Sequence, residues 1–233
     1  MLSWREFWDT AHSIYVNDRH KDVHFRDVAE QIAAFVPSAK ARVLDHGSGE
    51  AIHADLVAAR AREVLLCDAA PSVRAASTAR FAANPKIKVI APEEVAQLAA
   101  GSLDLIFANS LVQYLSQAEL VALLSVWHRL LAPDGVLIVA DVVPPEVGTA
   151  SDVVALLRYA AAHRFLAAAL VGLVRTALSP YRRLRSRLGI ARYSEAQFLR
   201  QLADAGFTGE RLPRNVEHNP ARMTFRARRA GKQ

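Results

Sequence analysis

Cysteine is nearly missing from this sequence, with Cys67 the only one in 233 residues. A single thiol excludes an internal disulfide, a structural zinc built on cysteines and any dithiol mechanism, and it suits a reducing compartment. Long hydrophobic runs are missing too. The longest runs from Phe165 to Val174 between Arg164 and Arg175, about half of the roughly 20 residues that span a bilayer. The amino terminus carries charge from Arg5 onward and has no apolar segment leading to a small-residue cleavage site. No secretory signal is expected there, and a cytoplasmic location is. A G-x-x-x-x-G-K-[ST] loop is absent, which excludes a P-loop nucleotidase.

Acidic residues are lacking between Asp152 and Glu195, where Arg158, Arg164, Arg175, Arg182, Arg183, Arg185, Arg187 and Arg192 contribute eight positive charges. The whole chain carries only +6, so the remainder is slightly acidic. The basicity therefore marks one local surface, and general nucleic-acid binding is not expected.

A chain with 52% hydrophobic and 22% charged residues can bury an ordinary core, and its length suits one domain. Short β-branched and leucine-rich runs alternate with helical patterns, the sequence form of a mostly parallel sheet covered on both faces. The runs predict seven strands: Arg42 to Asp45, Glu63 to Cys67, Ile87 to Ile90, Leu103 to Asn109, Val136 to Asp141, Phe207 to Leu212 and Met223 to Arg229. Helices are expected over Ile52 to Arg60, Val73 to Ala83, Glu93 to Leu98, Ser116 to Leu131 and Ser194 to Ala205. The last of these opens on Ser194-Glu-Ala-Gln197, a capping-box pattern. The expected fold class is thus α/β, Rossmann-like. A helical lead-in covers 1–36, a cofactor-binding core 37–150, a helical insertion between the fifth and sixth strands 151–192, and the closing helix with the last two strands 193–233.

The most informative segment is Val43-Leu-Asp-His-Gly-Ser-Gly-Glu-Ala51. A strand ending in an acid and turning through Gly47 and Gly49 presents bare backbone to a ligand at the strand's carboxyl end. The third glycine of a dinucleotide fingerprint is replaced by Ile52, too large for that packing, so a dehydrogenase is disfavoured. A second strand ends in Asp68, nineteen residues beyond Gly49. That spacing suits a carboxylate on ribose hydroxyls.

With these motifs in place, the sequence resembles a class I S-adenosylmethionine-dependent methyltransferase of the small-molecule or lipid-acceptor branch. Leu44, Asp45, Gly47 and Gly49 match that family's first motif, with Ala51 in place of its last glycine. Gly101-Ser-Leu-Asp104 and Leu130-Leu-Ala-Pro-Asp-Gly135 are similar to its later motifs, and Phe7-Trp-Asp9 with Ala11 and Tyr15 resembles its lead-in. The resemblance implies S-adenosylmethionine as cofactor, held by Asp45, His46, Gly47, Ser48, Gly49, Asp68, Ala69, Glu93, Glu94, Asn109 and Ser110, with His46 acting through its backbone. Asn109-Ser-Leu-Val112 is unlike the Asn-Pro-Pro-Tyr of nucleic-acid amino methylation.

Methyl transfer is an in-line displacement that needs orientation and dryness more than a base. If the acceptor is a neutral hydroxyl, His20, His24 or Asp141 is the candidate proton acceptor. Tyr15 and Tyr114 are candidate substrate contacts, Asp104 reads as structural, and nothing in the sequence calls for a metal. In the insertion, Tyr159, Phe165, Leu166, Leu170 and Leu173 read as one apolar stripe followed by arginines around Leu184 and Leu188. Three readings stay open for it: an acceptor lid, a homo-oligomer contact, or peripheral membrane contact through 158–192. The runner-up for the whole chain is a methyltransferase-fold subunit without chemistry that binds a partner.

Overall fold

A computed structural model of the chain describes residues 4–9, 15–177 and 189–231. Seven strands form one sheet: β1 (Arg42–His46), β2 (Glu63–Cys67), β3 (Ile87–Ile90), β4 (Leu103–Asn109), β5 (Leu131–Val142), β6 (Phe207–Arg211) and β7 (Met223–Arg229). Their order is β3-β2-β1-β4-β5-β7-β6. The first five run parallel and β7 is antiparallel to both β5 and β6.

The sheet is apolar on both faces, and successive residues of each central strand go to opposite cores. Leu44, Leu65, Ile106 and Leu137 face one cluster, which is filled by Trp127 and Leu124 from α6 (Gln117–Leu130) and by Phe198 and Leu202 from α9 (Glu195–Asp204). Val43, Leu66, Phe107 and Ile138 face the other, filled by Ala29 and Ile32 of α2 (Asp18–Phe35) and Val57 of α3 (Ala54–Ala58). Each buried Val, Leu, Ile or Phe among them contributes about 1.5–3 kcal/mol through burial. This double burial is why the strands read as unbroken hydrophobic runs.

The remaining helices are α1 (Trp4–Trp8), α4 (Pro71–Arg80), α5 (Pro92–Val95), α7 (Thr149–Ala162) and α8 (Leu166–Ala177). Ser194 caps α9 as expected, taking the Gln197 N–H at 3.2 Å while its own N–H donates to the Gln197 side chain at 2.8 Å. Asp104 also has the structural part expected of it, accepting the Arg42 N–H at 2.8 Å.

Three sequence expectations need correction. Strand β5 begins at Leu131, which already pairs with Leu103, rather than at Val136, and Pro133-Asp-Gly135 lies at a register shift within the strand. The helix expected over Ile52 to Arg60 is only Ala54–Ala58, and the loop before it turns at Ala51, whose φ is positive at 42°. The apolar stripe of the insertion splits. Phe165 is buried and Tyr159 is hydrogen-bonded inward, whereas Leu166 and Leu170 face solvent beside Val171 and Val174. Ala11, Arg182, Arg183, Leu184, Arg185, Arg187 and Leu188 lie outside the described residues.

The insertion packs back on the lead-in. The Tyr159 hydroxyl donates to Asp27 at 2.6 Å, the Phe165 ring stacks on His20 at 4.8 Å, and Val16 sits against Gly172. A Cβ added at Gly172 would come within 2.3 Å of a Val16 methyl, so only glycine allows this approach. Among the described residues no helix is long and apolar enough to cross a membrane.

Candidate active site

The order of strands reverses between β1 and β4, which are parallel neighbours in the sheet, and in open α/β sheets ligands bind outside the carboxyl ends of strands at such a point. Asp45 and His46 end β1, Asp68 follows β2, and Asn109 ends β4.

The loop after β1 is held from β2. Both the Gly47 and Ser48 N–H groups donate to the Cys67 carbonyl, at 2.7 and 3.0 Å. That tight turn requires φ of +81° at Gly47 and +56° at Gly49, conformations open to glycine at little cost. Asp68 grips the same loop: one carboxylate oxygen takes the Gly49 N–H at 2.9 Å and the other takes the Ala70 N–H at 2.8 Å. Each oxygen keeps a lone pair for a further donor. From the opposite side, α2 clamps the loop through His53 to Asp22 (2.7 Å) and Lys21 to Glu50, with the Phe25 ring over Gly49.

Two acids therefore converge on one glycine-rich turn. Burial, then the nearby Asp68 charge, pushes the Asp45 carboxyl up to about 7. Burial also raises Asp68, despite its backbone hydrogen bonds. A cationic ligand group seated here would return both to full charge. The loop fits an amino-acid-bearing sulfonium nucleoside better than a pyrophosphate, which two acids would repel.

Several expected site residues stand elsewhere or are engaged. The His46 ring lies on the other side of the sheet, where its Nδ1 accepts the Trp127 indole N–H at 3.1 Å and burial lowers it to about 4. Only its backbone faces the loop. Glu94 caps α5, accepting the Ala91 N–H at 2.7 Å, and Glu93 is exposed. Ala69 is exposed, its carbonyl taken by Arg74 at 2.9 Å. Tyr114 packs between Trp4 (4.6 Å) and Trp8 (5.5 Å) of α1.

Asp141 is corrected as a candidate base. It is 3% exposed, its carboxylate accepts from Ser110 at 2.7 Å and from Asn215 at 3.2 Å, and Arg222 closes an ion pair on it. With every direction occupied, it anchors Ser110 and the end of β5. His20 is buried with its Nδ1 accepting the Val16 N–H at 3.3 Å, and burial lowers it to about 4, so the ring is neutral near pH 7.

The residues that sequence reading missed lie between β6 and β7. Glu217 is 7% exposed in its side chain and accepts the Asn109 amide at 2.6 Å, with His24 and His218 at 3.4 and 3.5 Å. Burial opposes its ionisation, yet His24 and His218 outweigh burial and hold it ionised. Tyr15 completes this wall, its ring 5.2 Å from His24, 5.3 Å from His20 and 5.5 Å from Phe25. The only signal in the sequence was the polar run Asn215-Val-Glu-His-Asn219, which reads equally as a surface loop.

The strand order and the acid-flanked glycine turn are those of the class I S-adenosylmethionine-dependent methyltransferase fold. The comparisons agree: residues 44–139 match the family model described as a methyltransferase domain. It is 36% identical over 134 residues to the malonyl-[acyl-carrier protein] O-methyltransferase of Laribacter hongkongensis, covering 51% of this chain and 44% of that protein. The chain thus spans under half the length of this curated relative.

Among solved structures, it matches a chain in the complex between the Haloferax volcanii Trm112 methyltransferase activator and the putative methyltransferase. That match has a TM-score of 0.64 at 14% identity, covering 99% of this chain and 100% of that one. It also matches a Haemonchus contortus phosphoethanolamine N-methyltransferase solved with phosphoethanolamine and S-adenosylhomocysteine. Here the TM-score is 0.50 at 26% identity, over 61% of this chain and 32% of that one.

Proposed function

We propose that the chain transfers a methyl group from S-adenosylmethionine to a small-molecule or lipid acceptor, with an oxygen of an acidic group as the favoured target. The observation that carries this reading is the pairing of Asp45 and Asp68 across one glycine turn, with Asp68 2.9 Å from the Gly49 N–H. In it, Asp68 takes the two ribose hydroxyls, the Gly47-Ser48-Gly49 backbone lies along the amino-acid portion, and Asp45 faces the ammonium. Bound S-adenosylmethionine supplies an electrophilic methyl on a sulfonium.

The protein's part is to seat the acceptor over Asn109 and Ser110 beneath Tyr15, His20 and His24, and to keep water away. An acidic acceptor arrives ionised and needs no base, which agrees with Asp141 being fully engaged and His20 being neutral. The curated relative's name points the same way, since its acceptor is a malonyl group. The insertion acts as an acceptor lid, a role supported by its contacts with Val16, His20 and Asp27 of the lead-in.

Titration calorimetry with S-adenosylmethionine and S-adenosylhomocysteine tests the reading. Saturable binding is expected, weakened on the order of a hundredfold in Asp68→Ala through loss of two charge-assisted hydrogen bonds. Circular dichroism checks that the variant stays folded. Equal affinity in the folded variant would remove Asp68 from the site. Absence of binding in the wild type would sink the catalytic reading.

A further inference from the structure

We propose that His24, Glu217 and His218 form a binding site for a borderline transition-metal cation of the zinc type, independent of the S-adenosylmethionine reading. Three observations on different elements carry it. The first is the donor set: two imidazoles and one carboxylate, each able to offer one atom, with all three atoms within 4.8 Å of one another. His24 comes from α2, and Glu217 and His218 from the loop between β6 and β7.

The second is spacing. One oxygen, Glu217 Oε2, lies 3.4 Å from His24 Nδ1 and 3.5 Å from His218 Nδ1. Both are long for hydrogen bonds. They are close to the edge of a tetrahedron, which is about 3.3 Å when ligand atoms lie roughly 2.0–2.1 Å from a central zinc. The third edge, between the two imidazole ligand atoms, is within 4.8 Å.

The third is what surrounds the donors. His218 Nδ1 is buried and has no hydrogen-bond partner among the described residues, although a buried ring nitrogen normally has one. The other carboxylate oxygen, Glu217 Oε1, accepts the Asn109 amide at 2.6 Å, the kind of outer hydrogen bond that fixes a ligating carboxylate. The His218 ring is stacked on Tyr159 at 4.9 Å, which holds its plane. A cavity of about 150 Å³, lined by His24, Glu217, His218, Asp27 and Tyr159, adjoins the three ligands, so a fourth position is open to water or an oxygen donor. Three protein ligands with one open position are the form of a zinc site that binds a further molecule.

The test uses full-length protein stripped with a chelator and desalted, then titrated with Zn²⁺ alone. Calorimetry and metal analysis should give one equivalent, and Co²⁺ in its place should give the strong visible absorption of a tetrahedral ion. Glu217→Gln and His218→Ala should each weaken Zn²⁺ binding by a hundredfold or more. His218→Ala should still bind S-adenosylhomocysteine within a few-fold of wild type, which shows that it is folded. No stoichiometric Zn²⁺ uptake by the wild type overturns the proposal, and so does uptake unchanged in both variants. Because S-adenosylhomocysteine binding is read separately, a failed metal site leaves the methyltransferase reading standing, and the reverse holds too.

Discussion

Asp45 shows how one residue can be visible in a sequence while its chemical state is not. Its position before Gly47 identifies it as a loop acid, but its carboxyl is raised to about 7 by burial and by Asp68, which the fold brings beside it from the next strand. The unfolded chain releases this proton near 3.8, whereas the folded apoprotein keeps it to about 7. Its contribution to stability is therefore fully present below the unfolded value and is lost as pH rises through the folded one. A ligand ammonium placed on the loop favours the charged carboxylate and expels the proton. At pH 6, S-adenosylhomocysteine titrated in buffers of different ionisation enthalpy should release close to one proton, and well above pH 7 almost none. Asp45→Asn should abolish the buffer dependence. Heats at pH 6 independent of buffer would mean that the ammonium does not neutralise Asp45. Asp141 is the opposite case, since its place at the end of β5 suggested an available acid. What fills it, Arg222 and Asn215, comes from more than seventy residues further along the chain.

At the level of elements, the strands were legible because each carries its own hydrophobic run, and the Ser194 cap because its partner is three residues away. The joints between elements were not, being made by pairs far apart in sequence. Arg222 is the clearest joint: 11% exposed in its side chain, it bridges Asp141 at the end of β5 and Asp152 in α7. Both partners hold its guanidinium charged against the effect of burial. Removing one member of a buried ion pair leaves an uncompensated charge, which costs about 3–5 kcal/mol, much more than the pair itself contributes. Arg222→Met should lower stability by that amount in urea unfolding. Adding Asp141→Asn should restore a large share, since the amide keeps hydrogen bonds, carries no charge and tolerates the positive φ of 63° at this position. A single variant within about 1 kcal/mol of wild type would show that the bridge does not carry the joint.

Across the whole molecule, the buried sheet and the cover over its carboxyl edge are built differently. The sheet joins two large apolar cores, whereas among the described residues lead-in and insertion meet through a small cluster around Ala160, Phe165 and Ala169 with Val16 packed on it, the Val16 approach to Gly172, the His20 stack on Phe165, Tyr159 to Asp27 and the Arg19 guanidinium to the His163 carbonyl at 2.5 Å. Parts held by few buried contacts open at lower free energy than the core. Because α2 also clamps the glycine loop through Asp22 and Lys21, opening of the cover and loosening of the loop are one event. Hydrogen exchange should therefore show the N-terminal half of α2 opening together with α8, faster than β1, β4 and β5, and S-adenosylhomocysteine should slow both by a similar factor. Gly172→Val, whose Cβ would meet Val16 at 2.3 Å, should speed exchange in the first turn of α2 and in α8 alike while leaving the central strands unchanged. If only α8 responded, lead-in and insertion would be separate parts, and the insertion would not act as the lid of this site. A response spread through β1 and β4 would instead tie the cover to the global unfolding unit.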